Sequence, residues 1–549
     1  MTSLSNDVVQ EHSSSSTGDD ETAAFHLNHH SDHSSLRSID QVLEQALPDK
    51  PLLQQWRYWV IFLSLGVANS SDAAEILGIS YILSNATFDE HILGGSASKA
   101  SLLAATVFAG MLFGGLIVGG GISDVVGRRP VLLFGLALNS VAGLLSAAAW
   151  NVYSLSFLRF VAGIGIGTTI PPLFTLCSEL APPQHRGLCV TLAASFWMVG
   201  SMYVAILAWW GQGNSWRVFA MTCAIPSAVG WWLVQQSVPE SPRFLLLQGR
   251  YDEAVLVVRD LTERAQFQGL AWTLEEAQAH GAPILTQRAL TWGLLRTSLW
   301  NFGSSAQQLY LPETRQVTLA LQLVWFGLSF GTYGLYTWIN KLFLEVHLQN
   351  VYFNALLFSA SNLPGNLLSA FLMDRIGRSK MLVGSTLASV LSLMVFAYVV
   401  FRDESAVGLS DSPPLPVEWI VLASCAFQMC TIVSWNTIDV LTSELFPTFV
   451  RATGMGVCAG CGRIGAMLAQ FINGALVVRP VSLLLVAAFT LLIAAIMPIF
   501  LPADQTGHPV RDTVSEKRHR KEDRSSELTV RAPHRNYSYQ HLDLNGQLD

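Results

Sequence analysis

The chain has 549 residues, of which 51% are hydrophobic and only 13% charged, and its mean hydropathy is +0.39. A soluble domain carries about 25% charged residues, so a water-soluble globular protein is excluded. The formal net charge of −7, with no clustered basic face, leaves nothing for a nucleic acid to bind.

Residues 1–37 form a polar N-terminal tail rich in Ser, His and Asp, with the composition of a disordered segment. His26, His29, His30 and His33 are read as part of that tail rather than as a metal site. The first apolar block starts too late for a cleavable signal peptide. Over 38–47, Ser38 and Gln41 fit a capping box. Ile39, Val42, Leu43, Ala46 and Leu47 form one stripe, which predicts a short helix lying on the membrane surface.

Twelve apolar blocks follow, each long enough to cross a bilayer, which takes about 20 residues per helix. The first six run near 59–83, 100–122, 130–150, 154–177, 188–210 and 217–238. The second six run near 317–340, 351–373, 381–401, 418–441, 453–477 and 481–501. The expected fold is therefore all-α and polytopic, with twelve transmembrane helices in two six-helix bundles. The bundles are expected over 38–238 and 317–502. A middle loop over 239–316 separates them, with helices at 251–265 and 273–280, and a polar tail over 503–549 closes the chain.

Asp124-Val-Val-Gly127-Arg128-Arg129 stands between spans 2 and 3, and Asp374-Arg-Ile-Gly377-Arg378-Ser379 between spans 8 and 9. Ser178-Glu179-Leu180 leads to Arg186, and Ser443-Glu444-Leu445 leads to Arg451, after spans 4 and 10. Charged loop signatures repeated at this interval mark two copies of one bundle in one orientation, the plan of a rocker-type secondary transporter. Gly127 and Gly377 suit a sharp reversal that a Cβ would hinder. Asp124, Asp374, Arg128, Arg129, Glu179, Arg186, Arg378, Glu444 and Arg451 then form a charge lock on one face, joined by Glu240 and Arg243 of Pro239-Glu240-Ser241-Pro242-Arg243. The plainer reading of the basic residues is that they hold the topology.

The loops on that face carry most of the Arg and Lys, whereas the opposite loops and edges carry only Lys99, Arg217, Lys341, Arg402 and Arg479. The asymmetry places both termini in the cytosol. It does not separate the plasma membrane from an intracellular vesicle membrane. Asn85-Ala-Thr87, on the opposite side, is a candidate glycosylation site. The seven cysteines lie in or beside spans and outside those outer loops, against a disulfide-framed ectodomain.

Ionisable groups at bilayer depth are costly and mark function by default. Asp72 and Glu75 share a face of the first span, and two acids in a partly dry cavity suit proton coupling. Arg159 in the fourth span falls at the depth of Asp72, about 20–22 Å from the inner edge, and is expected within ion-pair reach of one of the two acids, Asp72 or Glu75. Arg463, near the middle of span 11, is placed to attract an anionic solute or to balance an acid. Tyr333 and Tyr336 in span 7, with Trp197, Gln322 and Asn354, suggest a mixed aromatic and polar cavity suited to a flat organic ion. No phosphate-cradling glycine loop or metal-spaced cluster is present. Neither an enzyme, a cofactor nor a metal is expected.

The two Asp-x-x-Gly-Arg loops resemble the signature of the major facilitator superfamily. Asp72-Ala-Ala-Glu75 resembles its synaptic-vesicle-2-related branch. Trp325-Phe326-x3-Phe330-x2-Tyr333-Gly334 is similar to that branch and to bacterial nicotinate transporters. So is Glu444-Leu-Phe-Pro447-x3-Arg451-Ala-Thr-Gly454, continuing to Gly462-Arg463-Ile-Gly465. The resemblance implies a carrier moving a small organic solute, an organic ion above all, by alternating access, with protons as the candidate coupling ion. It also implies an acid–arginine pair of the kind that sugar–proton symporters use. Val125 replaces the usual basic residue of the first loop motif. The large lumenal loop of synaptic vesicle glycoproteins, the cysteine-rich loop of organic ion transporters and the paired glutamines of sugar porters are absent. A sugar stays open as the alternative solute. A membrane receptor or trafficking protein that kept the fold without transport stays open as the alternative class.

Overall fold

The computed structural model describes residues 56–181, 186–211, 215–248, 250–262, 303, 306–312, 314–406, 418–446 and 450–501. The tails, the helix expected over 38–47 and the second loop helix over 273–280 lie outside them.

Among the described residues there are helices and no strands. Twelve helices are long and apolar enough to cross a membrane. They are α1 (Trp56–Leu83), α2 (Ala97–Ile122), α3 (Arg128–Ser146), α4 (Val152–Leu180), α5 (Arg186–Trp210) and α6 (Trp216–Ser237) in the first half. In the second half they are α7 (Arg315–Glu345), α8 (Val351–Met373), α9 (Arg378–Arg402), α10 (Glu418–Leu445), α11 (Thr453–Leu476) and α12 (Pro480–Phe500). These match the apolar blocks to within a few residues, because a bilayer-length apolar run has nowhere to satisfy its backbone except in a helix. The one marked extension is α7, which continues to Glu345. A shorter helix, Tyr251–Thr262, follows α6 in the middle loop and buries Ala254, Val258 and Leu261.

Packing partners recur six helices later: α1 with α5 and α7 with α11, α3 with α4 and α9 with α10, α1 with α6 and α7 with α12. Each half starts on the face that carries the Asp-x-x-Gly-Arg loops, here called the motif face. Two parallel copies of one bundle follow from this. Glycine makes the closest packing possible. A Cβ at Gly110 or Gly163 would run into the backbone of the partner helix in the α2–α4 pair. The motif half of α2, Gly114–Ile122, is wound as a π-helix over the glycine-rich run GGLIVGGGI.

The bundles meet near the far face. Asn340 of α7 donates to the Ser80 hydroxyl of α1 at 3.1 Å, and Lys341 lies 3.6 Å from Asp89. Tyr81 of α1 stacks on Tyr352 of α8, and Trp209 of α5 meets Phe353 of α8, both at 6.1 Å between ring centroids. Asp439, in the motif half of α10, is exposed. The two bundles are therefore in contact at the far face.

Candidate functional site

Tyr333 stands at the centre of the bundle interface. Its ring lies 5.3 Å from Phe108 of α2, 6.5 Å from Trp197 of α5, 5.5 Å from Trp435 of α10 and 6.1 Å from Tyr336 of its own helix. The guanidinium of Arg463 sits over it at 5.3 Å. This is cation–π geometry within the second bundle, and Phe108 and Trp197 of the first bundle meet the same ring. Three of the expected solute contacts, Tyr333, Tyr336 and Trp197, thus come together with Arg463.

Gln322 and Asn354 do not join them. Gln322 donates to the Tyr310 hydroxyl at 2.7 Å, near the motif face, and Asn354 donates to the Gln349 carbonyl at 2.9 Å, near the far face. Nearness in sequence misled here. Along a helix, 11 residues span about 16 Å, so Gln322 cannot share the level of Tyr333. The polar partners are supplied instead by α8 and α10. Gln428 donates to Asn362 at 2.7 Å, Asn362 reaches Ser201 of α5 at 3.4 Å, and the Tyr336 and Thr431 hydroxyls are 3.3 Å apart. The side-chain oxygen of buried Gln428 has no hydrogen-bond partner. The legible signal was a glutamine inside an apolar run.

The intramembrane acids are both buried. Arg159 of α4 pairs with Glu75, with side-chain exposures of 1% and 0%. Of the two acids expected within its reach, Arg159 takes Glu75 and not Asp72, the one that matched its depth. The α4 helix enters from the far face, and its side chains lean toward its N-terminus. The long Arg159 side chain therefore reaches the acid one turn nearer the far face. Asp72 accepts instead from the Thr169 hydroxyl of α4 at 3.2 and 3.3 Å and lies near the Ser71 hydroxyl at 3.4 Å. The Arg463 charge, across the bundle interface, also bears on it.

At the motif face, Arg128 lies 3.7 Å from Glu179 and Arg378 lies 3.3 Å from Glu444. Each pair joins helices of one bundle. Gly127 and Gly377 have φ of 122° and 91°, which accounts for glycine at the two turns. Glu240 accepts from the backbone N–H of Arg129 at 3.3 Å and of Ser241 at 2.9 Å. It is thus a carboxylate at the N-terminal end of α3, where the helix dipole favours negative charge. Burial pushes its carboxyl above the ordinary range, while those donors and the Arg128 charge oppose the rise. Arg129 also donates to the Gln235 carbonyl at 2.8 Å, and Arg128 lies 4.9 Å over the Phe244 ring. Arg186 begins α5, Arg243 lies in the short helix Pro242–Leu247, and Arg451 reaches the Phe446 carbonyl at 3.4 Å. The side chains of Asp124 and Asp374 lie outside the described set. Asn85 accepts from Thr87 and from the Phe88 N–H, capping a short turn at the far face.

The model of the sugar (and other) transporter family matches residues 16–505. The chain belongs to that family. It is a major facilitator, a multi-pass membrane protein of a transporter fold. It is 26% identical to synaptic vesicle glycoprotein 2B of Homo sapiens, over 81% of this chain and 83% of the relative. It is also 26% identical to synaptic vesicle glycoprotein 2A of Rattus norvegicus, over 75% and 72%. Among solved structures, the partially occluded inward-open xylose transporter XylE from E. coli aligns with a TM-score of 0.62 and 16% identity, covering 83% of this chain and all of that one. The D-xylose–proton symporter aligns with a TM-score of 0.59 and 17% identity, over 82% and 99%. At such identities the structures speak for the fold of this major facilitator, which carries Tyr333 where its two bundles meet.

Proposed function

We propose that this major facilitator carries a small, flat organic anion across its membrane by alternating access, with protons as the coupling ion. The observation that carries this reading is the Arg463 guanidinium over the Tyr333 ring, walled by Phe108, Trp197 and Trp435, with Asp72 in electrostatic reach. A planar ring stacks on such walls, and an anionic group satisfies the cation. Asp72 is a titratable group beside the site, and the buried Glu75–Arg159 pair supports it from the next turn.

In this reading the motif face is cytosolic, as the excess of Arg and Lys there supports, and both tails share that side. The bundles are 38–238 and 317–502, joined by a cytosolic loop over 239–316. The charge pairs at Arg128 and Arg378, with Glu240 and Arg243, stiffen the motif-face ends of the helices as the bundles rock.

The test is uptake by the purified full-length protein in proteoliposomes, with benzoate, glucose and tetraethylammonium as probes, with and without an imposed pH gradient. Gradient-driven benzoate uptake supports the reading. Glucose uptake alone replaces the solute class, and a protein that moves none of the probes under any gradient favours the receptor reading.

A further inference from the structure

Arg463 feels two acids, and they are not equivalent. Among the described residues it makes no hydrogen bond and no close ion pair. Its charge acts on Asp72 of α1 and on Asp439 of α10. Asp72 is 1% exposed and belongs to the other bundle. Asp439 is exposed, near the motif end of its helix, and belongs to Arg463's own bundle.

Helix polarity explains why Arg463 and Asp439 converge. Asp439 lies about 9 Å from the motif end of α10 and Arg463 about 15 Å along α11, taking 1.5 Å per residue. Side chains lean toward their helix N-terminus. Arg463 therefore leans toward the motif face and Asp439 away from it, which narrows the gap. Asp439 also follows Trp435 by one turn, on the same face of α10, and Trp435 contacts the Tyr333 ring that Arg463 covers.

The other groups facing Asp72 are Thr169 and Ser71, with the Glu75–Arg159 pair one turn away. The remaining charged residues of helices packed on α1 and α10, such as Lys99, Arg186, Lys341 and Arg378, stand at helix ends.

We infer that Asp439 is the alternate counter-ion of Arg463, holding that cation in its own bundle when Asp72 is neutralised or drawn away as the bundles rock. The inference rests on the proton-coupled reading above. A cation left without a carboxylate at this depth is costly. With Asp439 present, Asp72 can take a proton without stranding Arg463. Rocking changes the Asp72–Arg463 separation, which crosses the interface, and leaves the Asp439–Arg463 separation nearly constant.

The experiment follows the far-face opening of the full-length protein in lipid across a pH series. The reporter is the distance between spin labels at Trp210→Cys and Gln349→Cys, both exposed at the far face on opposite bundles. Asp439→Asn is expected to move the midpoint of the response to lower pH by about one unit, a tenfold change in proton concentration. Arg463→Gln is expected to move it to higher pH, and adding Asp439→Asn to that variant should change it less than about twofold further. Asp439→Glu should keep the wild-type midpoint, which separates charge from folding. The inference is overturned if Asp439→Asn leaves the midpoint in place while Asp72→Asn abolishes the response. It is also overturned if Asp439→Asn acts equally with and without Arg463, because the cation is then not the mediator. A wild-type protein with no pH response removes the proton-coupled reading itself, and this inference with it.

Discussion

Glu75 on α1 and Arg159 on α4 form an ion pair from which water is excluded, and it leaves donors of the guanidinium and one carboxylate oxygen without partners. Such a pair is held by mutual need, because removing one partner strands the other in a medium that cannot solvate it. Breaking a buried pair from one side costs about 3–5 kcal/mol, whereas replacing both members with apolar residues is often neutral. Arg159→Met alone should lower the unfolding midpoint in detergent strongly. The Glu75→Leu/Arg159→Met double variant should recover most of the loss while losing any pH-dependent transport. Equal melting of the single and double variants would show that the pair is not coupled.

The anionic site yields a graded prediction. Tyr333→Phe keeps the ring and should retain uptake of an aromatic carboxylate. Tyr333→Ala removes the stacking face, and Arg463→Gln removes the charge. A charge-assisted interaction contributes about 1.5–3 kcal/mol, so Arg463→Gln should weaken apparent affinity by at least about tenfold. Concentration-dependent uptake measures it. An unchanged KM would place the solute elsewhere.

Gly127 and Gly377 sit at backbone angles that other residues reach only with strain. A Cβ at Gly127 would also collide with the Glu240 carboxylate. Alanine at either position should cost about 1–3 kcal/mol, more at Gly127 because of that collision. Comparing the melting of the two variants against wild type checks both the size and the order.

The close approach of α2 and α4 predicts a contrast between two glycines. A Cβ at Gly163 meets the backbone of Val107, whereas one at Gly384 meets nothing within 4 Å. Gly163→Ala should destabilise by about 1–3 kcal/mol through overpacking. Gly384→Ala should be neutral or slightly stabilising, since alanine favours a helix. Similar melting of both variants would argue against the helix contact.

Glu240 gives the pH prediction. Its carboxyl is held above its usual range by burial, so the folded chain keeps this proton at a pH where the unfolded chain has released it. Stability therefore falls as pH rises from the ordinary glutamate value through the raised one. Glu240→Gln keeps an acceptor for the Arg129 and Ser241 N–H groups and removes the titration. Its melting temperature should vary less with pH across that window than the wild type's. A variant that tracks the wild type across the window would assign the pH dependence to other groups.

The amino-acid sequence by itself determined the number of spans, their places, the duplication and the two turning glycines. These are local facts. An apolar run of bilayer length folds its own hydrogen bonds, and Gly127 and Gly377 answer to backbone angles within one turn. Only the tertiary structure decided which side chains meet. Arg159 chose Glu75 over Asp72 because α4 runs against α1 and its side chain leans back toward the far face. Gln322 and Asn354 fell away from Tyr333, while Asn362, Thr431 and Gln428 came into the interior, because helix rotation and depth are set by packing between helices rather than by distance along the chain.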